Sequence, residues 1–169
     1  MIATIRSGGQ SGVDRGALDA ARAADIPVVG WCPAGGWAED HPTPPGLLTV
    51  YPELAETPSP ETKQRTEWNV RDSDATLILT APEGTSPGTD LTVGFASHWQ
   101  RPHLVLDASA WDRSDMTAVV HDVSEWLRQQ RQQGSGLVVN VAGPRASEWA
   151  GAYAASYRLV TGILEVGAR

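Results

Sequence analysis

The stretch SGGQSGVDRGALDAA, Ser7 to Ala21, decides how the rest of the chain is read. Upstream of it lies a short apolar run, Ile2 to Ile5. Downstream lies an alanine-rich segment with Ala17, Ala20, Ala21 and Ala24 on one helical face. The pattern is strand, glycine turn, helix. Two uses of such a turn compete. Glycine lets a strand turn sharply into a helix, or the backbone N–H groups of the turn and the helix N-terminus hold a phosphate or another oxyanion. The stretch has no Gly-Lys-Ser/Thr, so it is not a Walker A loop, and its glycines do not follow GxGxxG. Asp14, near the first helical turn, reads either as a dipole partner for the helix or as a holder of a ligand hydroxyl, a ligand amine or a neighbouring arginine.

The unit repeats along the chain. Val28 to Trp31, Ala75 to Thr80 ("ATLILT"), His103 to Leu106 and Leu137 to Val141 ("LVVNV") read as strands. Helices are expected over Val13–Ala24, from Ser59-Pro60-Glu61 onward, over Asp90–Gln100, over Asp115–Gln133 and from the third loop to about Leu164. The continuous apolar run in ATLILT suits the buried centre of a parallel sheet. Cys32 to Pro60 is proline-rich and irregular, and a stretch of that length is usually functional. Strands alternating with helices predict one α/β domain over residues 1–169, a doubly wound, Rossmann-like parallel sheet of about five strands with helices on both faces.

Composition narrows the function. The 169 residues carry a formal net charge of −7, so no basic face is available to neutralise a nucleic-acid backbone. No apolar run approaches the ~20 residues of a membrane helix. The single cysteine, Cys32, excludes an internal disulfide and, with no signal peptide in view, suggests a cytoplasmic protein. Cys32 has no base beside it in sequence and reads as a buried thiol. The seven tryptophans are many for this length and suit a ligand cleft or a subunit interface.

In doubly wound sheets ligands sit at the carboxyl ends of the strands. Three loops there share one character: SGGQSGVD (Gly8, Gly9, Gln10, Ser11, Gly12, Asp14), PEGTSPGTD (Gly84, Thr85, Ser86, Gly88, Thr89) and AGPRAS (Gly143, Pro144, Arg145). Each is expected to lead into a helix. Three loops on one edge predict an oxyanion site better than any one of them. QRTEWNVRDSD places Arg65, Asn69 and Asp72 about one turn apart. Arg65 or Arg71 is expected to lean towards the loops and grip an anion, and Arg145 sits inside a loop. WAEDHP brings Glu39, Asp40 and His41 together in sequence, but neighbouring residues cannot all face one ion, and His98, His103 and His121 are scattered. No protein-ligated metal is predicted.

Taken together, SGGQSGVDRGALDAA, GWCPAGGWAEDHP, QRTEWNVRDSDATLI, GTSPGTDLT and NVAGPRAS resemble a family named for carriage of the molybdenum cofactor. The resemblance spans nearly the whole chain. It implies a circularly permuted member of the SLOG superfamily, the lysine-decarboxylase-like Rossmann domains, and a homodimer or homotetramer. It also implies a bound phosphorylated small molecule, the molybdenum cofactor (molybdopterin) or a nucleotide. The superfamily includes phosphoribohydrolases with a signature similar to Pro-Gly-Gly-x-Gly-Thr-x-x-Glu. Here Gly88-Thr89 matches the Gly-Thr and Thr92 stands where the glutamate would be. A threonine cannot serve as a carboxylate in glycosidic cleavage. The expectation is therefore a carrier, with Trp31 or Trp37 stacking on the heterocycle. The alternatives are a nucleoside-monophosphate hydrolase and a nucleotide sensor.

Overall fold

The computed structural model describes residues 2–108, 111, 116–131 and 135–168. The strands are β1 (Ile2–Arg6), β2 (Val28–Cys32), β3 (Leu54–Glu56), β4 (Ala75–Thr80), β5 (His103–Asp107) and β6 (Leu137–Ala142). The helices are α1 (Val13–Ala23), α2 (Thr62–Arg71), α3 (Pro87–His98), α4 (Met116–Gln130) and α5 (Ala152–Ala168). All strand pairs are parallel, in the order β3-β2-β1-β6-β4-β5. The expected α/β sheet is present, with six strands rather than about five. The added strand is β3, three residues inside the proline-rich stretch, too short to show a strand period. It pairs with β2 through Gly30, Trp31 and Cys32.

Every residue of β4 is buried, as its unbroken apolar run demands. Ile5, Leu77, Val139 and Val141 from the central strands meet Val13, Ala17 and Leu18 of α1, Val123 of α4 and Leu159 and Val160 of α5 in one core. That core lies on one face of the sheet. α2 and α3 cover the other. The two central strands β1 and β6 come from opposite ends of the sequence, with Ile5 beside Val139. The Ser7 hydroxyl also donates to the Val141 carbonyl at 2.6 Å.

Helix boundaries shift for local reasons. α3 begins at Pro87 rather than Asp90, because Ser86 caps it by accepting from the Thr89 N–H at 3.3 Å and Pro87 fills the first turn. α2 starts at Thr62, after a turn in which the Ser59 hydroxyl accepts from the Glu61 N–H and the Gln64 amide oxygen from the Ser59 N–H. α5 runs to Ala168, beyond Leu164. Of the expected Asp115–Gln133 helix, Asp115, Gln132 and Gln133 lie outside the described residues.

Candidate functional site

A cleft of about 220 Å³ opens at the carboxyl edge of β1, β6 and β4, between the N-terminal ends of α2 and α3. Four elements build it: the loop after β1, one face of α2, the start of α3, and the end of β6 with its following loop. Gly8, Gln10, Asp14, Arg65, Asn69, Ser86, Gly88, Gly143 and Arg145 all line it, so nine of the positions singled out in the sequence converge.

Asp14 and Arg65 form its floor. Arg65 Nη1 lies 3.2 Å from Asp14 Oδ2, and the pair is almost closed to solvent. Burial pushes the Asp14 carboxyl above the ordinary range, and the Arg65 charge pulls against that shift. Gly8 makes the pair possible: a Cβ there would stand 2.1 Å from Arg65 Nη1 and 2.9 Å from Asp14 Oδ2. Arg65 Nε is buried with no partner among the described residues. Asp14 thus holds an arginine, one of the two uses its sequence position left open.

Several N–H groups of the first loop and of the start of α1 are bonded within the protein. Gln10 N–H donates to Asp14 Oδ2 at 3.3 Å, Ser11 N–H to Gln10 Oε1 at 3.1 Å, and Arg15 N–H to the Gln10 carbonyl at 3.2 Å. The first N–H of α1, at Val13, donates to the Pro144 carbonyl at 3.1 Å. Gly12 is essential to that contact. Its φ is +83°, and a Cβ there would lie 2.5 Å from the Pro144 carbonyl oxygen. Gly12 and Pro144 therefore join two loops behind the cleft and do not line it. Gly9, also at positive φ, packs against Leu54 and Leu47.

Glu39 tightens the same junction. Its carboxylate accepts from the Ser11 hydroxyl, from the Ser147 hydroxyl at 2.6 Å and from the Ser147 N–H at 3.2 Å. Burial raises the Glu39 pKa, but these hydrogen bonds outweigh it and hold the group below its usual value. The neighbour Asp40 pairs with Arg15 at 3.0 Å. The acidic residues of WAEDHP thus have loop-tying work, and among the described residues no three His, Cys, Asp or Glu side chains gather as a metal-ligand set.

The second wall is the start of α3. Ser86 and Gly88 line the cleft, whereas Gly84 and Thr85 are exposed outside it. Thr89 is buried under the Ser86 cap. Thr92 lines the cleft and returns its hydroxyl to the Gly88 carbonyl at 2.9 Å. Asp90, the nearest carboxylate to Thr92 in sequence, is exposed and does not line the cleft.

The third wall differs from expectation. AGPRAS leads into a turn, and α5 begins only at Ala152, so this loop does not present a helix N-terminus. It presents Arg145, whose Nη2 is 3.5 Å from Glu148 Oε1 with the side chain 41% exposed, leaving it able to swing onto a ligand.

Three further expectations change. Arg71 turns away from the loops, bonding Asp72 Oδ1 at 2.6 Å and lying over the Trp68 ring. Asn69 borders the cleft, but its amide clamps the β2 backbone: Nδ2 donates to the Trp31 carbonyl and Oδ1 accepts from the Trp31 N–H, each at 2.9 Å. Trp31 donates its indole N–H to Asp72 Oδ2 at 2.8 Å, and neither it nor Trp37 lines the cleft. Polar residues not anticipated are Thr62, Thr66, Asn140 and Glu148. Asn140 carried a signal: it is the one polar residue in the apolar run LVVNV, and buried polar side chains need a partner or a purpose. It lies 3.4 Å from the Thr76 hydroxyl.

A parallel sheet with helices on both faces and a polar cleft at its carboxyl edge defines a Rossmann-like ligand-binding domain. The chain matches the Circularly permutated YpsA SLOG family over residues 5–164 and belongs to it. Among solved structures it is similar to a Syntrophus aciditrophicus SB protein named "Putative molybdenum carrier protein". The two share 36% sequence identity and a TM-score of 0.81, over 96% of this chain and 95% of the other. A comparison with curated proteins returns no match.

Proposed function

We propose that this protein binds a phosphorylated small molecule in the cleft and carries it without altering it. The observation that carries this reading is the convergence of two arginines, Arg65 and Arg145, with the N-terminal end of α3 on one polar cleft. The anion rests on the α3 side, against Ser86, Gly88 and Arg145, because the first loop sets the Asp14 carboxyl at the floor. A ligand hydroxyl or amine faces Asp14. Four hydroxyl side chains, Thr62, Thr66, Ser86 and Thr92, suit a polyhydroxylated ligand body.

The neighbour's name and the shared family favour a molybdenum-related cargo, with molybdopterin or a nucleotide as the ligand. Thr92 in place of a glutamate supports carriage over hydrolysis. The protein is proposed to act in the cytoplasm as a homo-oligomer, without nucleic-acid partners. No helix among the described residues is long and apolar enough to cross a membrane.

The test is mass spectrometry of small molecules released from the purified protein, with calorimetric titration of nucleoside monophosphates and pterin phosphates. A phosphorylated ligand bound by the native protein and lost in Arg145→Ala is the expected result. Free base released from a nucleoside monophosphate would overturn carriage in favour of hydrolysis. Binding that survives Arg65→Ala and Arg145→Ala together would overturn the site.

A further inference from the structure

A strand offers alternate side chains to the two faces of its sheet. In β6, Val139 and Val141 point into the main core, so Asn140 points to the opposite face, the one covered by α2 and α3. α2 packs on β2 and α3 on β4, and β6 lies between those two strands in the sheet. Asn140 therefore stands beneath the seam between the two helices. The cleft follows that seam inward. On α2 it is lined from Thr62 down to Asn69, about 10 Å of helix. On β6 it reaches Asn140, about 10 Å below Gly143 along the strand.

At this depth the polar side chains of the helical walls are already engaged. The Thr66 hydroxyl donates to the Thr62 carbonyl at 3.0 Å and the Thr92 hydroxyl to the Gly88 carbonyl, so both are left as acceptors. Asn69 commits both ends of its amide to Trp31. Asn140 differs. It is 2% exposed and lines the cleft, yet its one hydrogen bond among the described residues is the donation from Nδ2 to Thr76 Oγ1 at 3.4 Å. That distance is longer than a good N–H···O bond. The second Nδ2 hydrogen and the whole of Oδ1 remain. A buried amide left in this state is costly unless something pairs with it.

The two unused groups stand side by side, one donating and one accepting. They complement an N–H next to a C=O held on the same side of a ring, as in a cyclic amide. A trans amide, as in a peptide, sets those two groups on opposite sides and cannot engage both.

We propose that Asn140 determines which ligand the cleft accepts, by pairing with the cyclic-amide edge of a planar ring on the molecule whose phosphate rests against Ser86, Gly88 and Arg145. This assignment rests on the reading of the cleft as a site for a phosphorylated small molecule. The ligand enters ring first along the α2–α3 seam and leaves its phosphate at the mouth. Thr76 is a positioning residue, which fixes the carboxamide by taking one of its hydrogens.

The test is calorimetric titration of the full chain with three probes. Guanosine monophosphate and a pterin monophosphate carry the cyclic-amide edge, and ribose 5-phosphate carries no amide. The expected result is that one ring-bearing probe binds at least about tenfold tighter than ribose 5-phosphate, and that Asn140→Leu lowers this ratio at least about tenfold. Asn140→Asp keeps the shape of the side chain, replaces its donor by an acceptor, and gives the same answer should the leucine variant misfold. A ratio kept within about threefold in both variants would overturn the proposal. So would ring-bearing probes that bind the native protein no tighter than ribose 5-phosphate. Where Arg145→Ala still abolishes binding of all three, the phosphate site stands and the ring assignment alone falls. A native protein that binds none of the probes overturns both.

Discussion

Arg65 reaches across from α2 to place Nη1 3.2 Å from Asp14 Oδ2, and both atoms lie where a side chain on Gly8 would have to go. One ion pair therefore joins the first loop to the helix that forms the opposite wall. Removing the arginine leaves a buried carboxyl with no counter-charge, and such a loss typically costs about 3 kcal/mol. Arg65→Ala is expected to lower the melting temperature by several degrees. Differential scanning calorimetry reads it.

Asp14 also sets a pH dependence. Its folded pKa is raised, so the folded state holds this proton more tightly than the unfolded chain does. Its contribution is therefore largest below the unfolded value of about 3.9 and falls as pH rises through the folded value. Arg65→Ala removes the charge that opposes this rise. The stability gap between Arg65→Ala and the native protein should be wider at pH 8 than at pH 5, as measured by urea denaturation at the two values. A gap independent of pH would show that Arg65 acts on something other than Asp14.

Two glycines should respond very differently to the same methyl group. At Gly8 the obstacle is the end of a flexible arginine, which can move; Gly8→Ala should fold at a cost of about 1 to 2 kcal/mol and lose ligand affinity as Arg65 is displaced. At Gly30 a Cβ would sit 1.8 Å from the Ser7 carbonyl oxygen, inside the β1–β2 pair. Gly30→Ala should fail to give soluble folded protein. Circular dichroism and thermal melts of both variants decide this.

Glu39 should matter to the shape of the site and Arg145 to its charge. Glu39→Gln weakens the tie between the Ser11 and Ser147 loops by about 1 kcal/mol. The native Glu39 pKa is depressed, so its contribution is present above the unfolded value of about 4.3 and is lost as pH falls through the folded value. Arg145→Ala should leave stability within about 0.5 kcal/mol, since its pairing with Glu148 is exposed. Its binding of a phosphorylated ligand should fall at least about tenfold in a calorimetric titration.

The thiol of Cys32 is fully buried, and burial, with Glu56 adding to it, pushes its pKa up to about 11. A thiol-specific chromogenic reagent at pH 8 should label it slowly in the native protein and at once in guanidinium. Rapid native labelling would mean that β2 opens readily.

The alternation of strands and helices was legible because ATLILT and LVVNV are too apolar to be anything but interior, and because glycine, serine and proline mark where each run ends. The convergence of Gly8, Asp14, Ser86 and Arg145 followed from placing three loops on one sheet edge. What the residues alone did not disclose was direction. Arg65 and Arg71 are six positions apart on one short helix, and only the packed structure shows that one reaches Asp14 and the other Asp72. β3 escaped notice because three residues carry no period. The acceptor for the first N–H of α1 is the carbonyl of Pro144, a residue distant in sequence.

The pairing of Ser7 with Val141 spans 134 residues. During synthesis β1 can find β2 within a few dozen residues, but its other edge stays open until β6 leaves the ribosome. The cleft needs Asn140, Gly143 and Arg145 from that late segment. Ligand therefore cannot assist the nascent chain; it meets a protein that has already closed its sheet. Contacts of such length also slow folding, because chain entropy is lost before they form. Premature truncation anywhere before β6 would leave β1 with a bare edge, which makes quality control of incomplete chains a matter of exposed backbone rather than of a damaged site.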